Sequence, residues 1–131
     1  METDIMIVGV CAAGKTTLVE KLRADGFKVT TVSQEHSINP DLWQRARPYF
    51  LVVLDCSLET ARERRNRKIH PAQFASQKEK LQKAREQCDL YLKTDNLSVE
   101  ESAGKIIRGF QEKKKRGGGK QDVNFKRYQE R

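Results

Sequence analysis

The sequence predicts an α/β fold of three layers, a short, mostly parallel sheet of about four strands with helices on both faces. Three observations carry that expectation. The apolar runs Asp4–Gly9 and Phe50–Asp55 are strand-sized and do not alternate with polar residues, the mark of strands covered on both sides. The segments after them carry apolar residues at helical spacing, as in Leu18, Val19 and Leu22. Strands and helices then take turns along the chain, which is how parallel strands are joined.

In chain order, Asp4–Gly9 (DIMIVG) is a buried strand that leads at once into a Gly-rich loop and a helix from Lys15. Gly26 ends that helix by permitting a left-handed backbone, and Lys28–Ser33 (KVTTVS) is β-branched enough to be a second strand. Residues 34 to 48 form an irregular connection, with a turn at Asn39-Pro40 and a helical turn or two around Trp43 after an Asp41 cap. Phe50–Asp55 (FLVVLD) is the most hydrophobic run and belongs at the centre of the sheet.

Ser57 then caps a basic helix from Leu58 to about Lys68, and Pro71, at a first helical position, opens a longer helix to Cys88. The narrow apolar stripe of that second helix, Phe74, Leu81, Ala84 and Cys88, lays it on the surface over the sheet. Leu90–Leu92 is a short fourth strand, and Ser98-Val-Glu-Glu101 is a capping box that starts an amphipathic helix through Phe110. Residues 1–110 therefore form one domain. Residues 111–131, rich in charge and glycine with no apolar period, read as a flexible basic tail.

Charge is distributed unevenly. The net charge is +8, and residues 111–131 hold eight Lys/Arg against three Asp/Glu, so most of the basicity lies in the tail. No apolar stretch approaches the roughly 20 residues of a membrane span. The acidic start Met-Glu-Thr-Asp lacks the basic layout of a secretory signal, so the expected location is cytoplasmic, with no membrane partner. Cys11, Cys56 and Cys88 have no C-x-x-C spacing, which argues against both a disulfide framework and a zinc site.

One segment carries chemistry on its face. Gly9-Val10-Cys11-Ala12-Ala13-Gly14-Lys15-Thr16 matches G-x-x-x-x-G-K-[ST], and it sits between a buried strand and a helix. In such a loop the glycines let successive backbone N–H groups point inward, and the helix N-terminus adds partial positive charge. Gly9, Cys11, Ala12, Ala13, Gly14, Lys15, Thr16 and Thr17 are then the nucleotide-binding residues. Lys15 reaches the β- and γ-phosphates, and Thr16 offers a hydroxyl to Mg²⁺. Cys11 is more simply a small filler than a nucleophile, because no base accompanies it in the sequence.

The chain resembles the P-loop kinases, the group that includes adenylate, shikimate and gluconate kinases, within the P-loop nucleoside triphosphate hydrolase fold. The resemblance rests on GVCAAGKTTL, on LDCSLETARERRNR (Leu54–Arg67), which looks like the strand and helix that precede the kinase lid, and on DLYLKTDNLSVEE (Asp89–Glu101). It implies ATP, or another nucleoside triphosphate, with Mg²⁺. It also implies that Arg64, and next Arg67, lie beside ATP and the transferred phosphoryl group. Five cations among Arg62, Arg64, Arg65, Arg67 and Lys68 suit an anionic guest. A solvated basic helix is the plainer reading of the same run.

The departures matter as well. Only residues 34–49 separate the second strand from FLVVLD, so the acceptor-binding insertion of larger nucleotide kinases is absent and the lid is a stub. If FLVVLD is the strand before the lid, Asp55 is not a magnesium aspartate; if it is the Walker B strand, Asp55 holds Mg²⁺ through water. A third role, capping the following helix, fits either alignment. Gln34-Glu35-His36-Ser37 lies at the carboxyl edge, where Glu35 faces an acceptor hydroxyl as its base or assists the metal.

The expected activity is transfer of the γ-phosphoryl group of ATP to a small-molecule acceptor, with Lys15, Arg64, Arg67 and Glu35 as catalytic residues and Thr16 and Asp55 toward the metal. Two alternatives stand beside it. One is a nucleotide-binding module without transfer activity, suggested by the missing insertion. The other is association with nucleic acid through the tail, where Phe125 and Tyr128 lie among cations.

Overall fold

The computed structural model describes residues 4–10, 12–31, 49–65, 68–116 and 128–130. Within them, strands β1 (Ile5–Gly9), β2 (Val29–Thr31), β3 (Phe50–Asp55), β4 (Leu90–Lys93) and β5 (Tyr128–Glu130) form one sheet in the order β2-β1-β3-β4-β5. Every pairing is parallel, with Ile5 opposite Val29 on one side and Phe50 on the other. The helices are α1 (Lys15–Ala24), α2 (Leu58–Arg65), α3 (Pro71–Lys80), α4 (Gln82–Gln87) and α5 (Val99–Lys115). They cover both faces of the sheet, which gives the three layers expected.

The topology fixes where a ligand can enter. From β1 the chain moves outward to β2 and later returns to place β3 on the other flank of β1, so the strand order reverses at β1. In an open α/β sheet such a reversal leaves a crevice at the carboxyl ends of the strands. The Gly-rich loop leaves β1 at that crevice.

The core follows from the runs that predicted it. All of Ile5–Gly9 and Phe50–Asp55 is buried, as double-sided coverage requires. Helices α1 and α5 pack together on one face of the sheet, joined by a cluster around Phe110. The rings of Phe27, Tyr49 and Phe50 meet that of Phe110 edge-on, with centroids 5.9, 5.8 and 5.9 Å away. Gly109 allows the close approach, because a Cβ there would sit 2.9 Å from Phe50 Cζ.

Helix ends obey local chemistry. Ser98 Oγ accepts from the Glu101 amide and Glu101 Oε1 accepts from the Ser98 amide, so the capping box read from the sequence is formed. Ser57 Oγ accepts from the Thr60 amide at the start of α2. Pro71 occupies the first turn of α3, behind a His70 cap whose Nδ1 accepts from the Ala72 amide. Gly26, at φ +97°, closes the end of α1.

Three expectations about extent need correction. The helix expected over Pro71–Cys88 breaks at Leu81 into α3 and α4. Leu81 has φ −90° and ψ 0°, and its amide is shared between the carbonyls of Gln77 and Lys78, so the turn tightens there while the buried stripe of Phe74, Gln77, Leu81, Ala84 and Cys88 continues. Helix α5 runs on to Lys115 rather than stopping near Phe110. Tyr128–Glu130, read as part of a flexible tail, pair in parallel with Leu90–Leu92 and extend the sheet to five strands. The turn around Asn39 and Trp43 lies outside the described residues.

The end of the sheet away from the crevice is tied by polar contacts. Asp89 Oδ2 accepts from the Leu51 amide at 2.7 Å, and Lys113 Nζ donates to Asp89 Oδ1 at 3.1 Å and to the Tyr49 carbonyl at 2.7 Å. This fastens the C-terminal part of α5 to the start of β3. Tyr49 has its hydroxyl pKa raised by burial and by the charge of Asp89, against the lowering effect of Arg116.

Candidate nucleotide site

The loop after β1 is shaped by two glycines with different tasks. At Gly9 a side chain has no room, since a Cβ would lie 2.5 Å from the Leu54 carbonyl oxygen on β3. At Gly14 there is space, but the backbone is left-handed with φ +103°. Ala12 also takes a positive φ, of 64°, which a residue with a Cβ adopts only under constraint from its surroundings. The Ala13 amide closes a turn on the Val10 carbonyl at 3.3 Å.

Helix α1 begins at the loop with Gly14 as its cap. No side chain caps its first amides, and its first turn has no acidic residue, so the positive end of the helix is left facing the crevice. Lys15 folds back over the loop, where its Nζ donates to the Gly9 carbonyl at 2.9 Å and the Val10 carbonyl at 3.1 Å. Thr16 and Thr17 follow it, both exposed.

Arg64 arrives from α2, far along the chain. Its Nη1 donates to the Ala12 carbonyl at 2.9 Å and to Thr94 Oγ1 at 3.0 Å, and its Nη2 donates to the Thr94 carbonyl. The fork of donors on guanidinium suits this multiple grip. Of the arginines in the ERRNR run, Arg64 is thus brought to the loop, while Arg67 lies outside the described residues.

Thr94 is the residue that sequence reasoning missed. It is 2% exposed, one position past β4, and its hydroxyl donates to the Ala13 carbonyl at 3.0 Å, with the Asp55 carbonyl 3.3 Å away. One side chain therefore joins the loop, the end of β3 and Arg64. The available signal was a small hydroxylated residue directly after LYLK, at the carboxyl edge of a strand.

Beside the loop lies a hollow of about 290 Å³, close to the lower end of the range for small-molecule pockets. Gly14, Thr17 and Arg64 line its polar side, and Leu18, Leu97 and Val99 supply an apolar wall. The arrangement offers a helix N-terminus, an ammonium and a guanidinium beside an apolar slot. That set can receive a chain of phosphates attached to a flat apolar group.

Asp55 belongs elsewhere. Its Oδ2 accepts from the Tyr91 hydroxyl at 2.5 Å, its Oδ1 accepts from the Cys56 amide at 2.8 Å, and Lys78 Nζ of α3 stands 3.5 Å from Oδ1. Burial, and then the bond to Asp55 and its charge, push the Tyr91 hydroxyl far above its usual range. The carboxylate faces α3, and its contacts describe an anchor at the end of β3. These contacts suit the alignment in which FLVVLD is the strand before the lid and Asp55 is not a magnesium aspartate. Among the described residues, no three or more His, Cys, Asp or Glu side chains gather as a metal cluster.

Glu35 and Cys11 lie outside the described residues, as does the whole Gln34-Glu35-His36-Ser37 segment. Among the described residues, no helix is long and apolar enough to cross a membrane. Comparison with protein-family models and with curated proteins found no match to the chain.

Proposed function

We propose that this chain is an ATP-binding, P-loop kinase-like protein that transfers the γ-phosphoryl group to a small-molecule acceptor. The observation that carries the reading is the convergence of Lys15 and Arg64 on one loop, Lys15 at the Gly9 and Val10 carbonyls and Arg64 at the Ala12 carbonyl from 52 residues away. Phosphoryl transfer asks the protein mainly for positioning and charge neutralisation. Two cations from different elements, set against a helix N-terminus, are suited to that task.

In this reading the backbone amides of Gly14 to Thr16 take the phosphates, and the hollow lined by Leu18, Leu97 and Val99 takes the base. Lys15 gives up its bonds to the Gly9 and Val10 carbonyls for the β- and γ-phosphate oxygens. Arg64 leans on Thr94 and offers its guanidinium to the charge that develops on the transferred group. Thr16, exposed on the first turn of α1, fits a Mg²⁺ ligand, and the metal would neutralise phosphate oxygens when bound. Glu35 remains the proposed base for the acceptor hydroxyl.

The test is a transfer assay with Mg²⁺ and γ-labelled ATP against a broad panel of hydroxylated and phosphorylated metabolites. Label on an acceptor, lost in Lys15→Ala and much reduced in Arg64→Ala, supports the reading. Tight ATP binding with no labelled acceptor would instead support a nucleotide-binding module, the outcome the short connection between β2 and β3 favours.

A further inference from the structure

A second, larger hollow of about 490 Å³ opens where β3 and β4 end, on the other side of the segment that follows β4. Lys78 of α3, Lys93 at the end of β4 and Lys105 of α5 all line it, together with Asp95, Ser57 and Leu97. Leu97 also lines the hollow beside the Gly-rich loop, so one short segment parts the two.

The charge on these walls is lopsided. Three lysines from three separate elements line one space, Asp95 is the one acid among the lining residues described, and Asp55 stands beside Lys78. Asp95 Oδ1 is turned to the Ser57 amide at 2.9 Å and the Thr60 hydroxyl at 2.6 Å, so it serves the start of α2. Lys78 also leans on Asp55 at 3.5 Å, which fixes its direction while its side chain stays 41% exposed. An anion with several charged oxygens can take up ammonium groups that reach one space from separate elements.

We propose that this hollow binds a phosphorylated small molecule through Lys78, Lys93 and Lys105, as a site separate from the Gly-rich loop. Its volume lies within the range of small-molecule pockets. Lysine ammonium groups act as point charges that suit phosphate oxygens in varied directions. The inference does not depend on the loop binding ATP.

The experiment is calorimetric titration of the full chain with inorganic pyrophosphate, run in a Lys15→Ala background so that the loop contributes least. Binding that persists there, and falls at least tenfold in Lys93→Gln/Lys105→Gln, is expected. Lys93→Arg/Lys105→Arg should retain it, and Lys80→Gln/Lys83→Gln, which removes the same charge from α3 and α4 outside the hollow, should leave it unchanged. A melting curve on each variant separates lost binding from lost folding. The proposal is overturned if the Lys15→Ala protein binds no pyrophosphate, or if the Lys80/Lys83 variant weakens binding as much as the Lys93/Lys105 variant, which would mark diffuse attraction to a basic chain. Failure of ATP to bind wild type would leave this result intact, so the two readings fail separately.

Discussion

Replacing Thr94 by valine removes one oxygen and keeps the shape of the side chain, which makes it a clean probe of the link between β4 and the Gly-rich loop. The hydroxyl is the donor to the Ala13 carbonyl at 3.0 Å, and Ala13 is 1% exposed. A buried acceptor left without its donor costs about 1–3 kcal/mol. Arg64 loses one acceptor but keeps the carbonyls of Ala12 and Thr94, so its share of the loss is below about 1 kcal/mol. The sum is a destabilisation of about 2 kcal/mol, and at about 4 °C per kcal/mol for a domain of this size the melting temperature falls by about 8 °C. Calorimetric melting of wild type, Thr94→Val and Thr94→Ser measures it, with serine expected near wild type because it keeps the oxygen. The same proteins titrated with Mg·ATP should show weaker binding in the valine variant, since both the loop and Arg64 lose a support. A valine variant that melts and binds like wild type would refute the role given to this hydroxyl.

Other perturbations test separate parts of the fold. Gly9→Ala puts a Cβ 2.5 Å from the Leu54 carbonyl, and forcing β1 and β3 apart should cost about 1–3 kcal/mol in urea denaturation; an unchanged midpoint would show that the strands yield freely. Asp89→Ala leaves the Leu51 amide without its acceptor and takes the carboxylate from Lys113, which keeps the Tyr49 carbonyl, so a loss of about 2 kcal/mol is expected by the same method, and a loss under about 0.5 kcal/mol would contradict the account of that anchor. For Asp95, burial favours the protonated form, but hydrogen bonds from the Thr60 hydroxyl, the Ser57 amide and hydroxyl and its own amide outweigh it and lower the pKa to about 2 from 3.8. A lowered folded-state pKa gives stability that is present above about pH 4 and lost as pH falls toward about 2. Asp95→Asn should therefore flatten the acid limb of the stability curve in that window, and an unaltered limb would count against it.

How far the sequence spoke depended on the range of the interaction. Buried runs and caps are local, so FLVVLD, Ser98-Val-Glu-Glu101 and the place of Pro71 were readable, and all appear as expected. The glycines of the loop were readable as a pair, yet their separate tasks were not. Gly9 answers to a carbonyl on a strand that arrives 45 residues later, while Gly14 answers to its own φ. The break at Leu81 left no mark because the apolar stripe runs through it undisturbed.

The strand at Tyr128–Glu130 was hidden for another reason. A three-residue edge strand draws its hydrogen bonds from β4, and its own composition, charged and short, looks like tail. The site shows the same division. Arg64 was chosen through a family pattern, and the structure gives it partners on Ala12 and Thr94. Thr94 escaped notice because a lone threonine after a strand has no pattern, and its importance comes from three elements meeting at one hydroxyl. Asp55 left two readings open because an acid ending a buried strand looks the same in sequence whatever it faces, and its bonds to Tyr91 and Lys78 come from elements far along the chain.

The central claim, that the loop from Gly9 to Thr16 holds a nucleoside triphosphate, is tested most directly by isothermal titration of the full chain with Mg·ATP, in wild type and in Lys15→Ala. The account predicts one equivalent bound per chain. It also predicts at least a tenfold loss in the variant, since charge-assisted hydrogen bonds to phosphate are worth about 1.5–3 kcal/mol. Wild type that takes up no ATP, or a variant that binds as tightly as wild type, would contradict it.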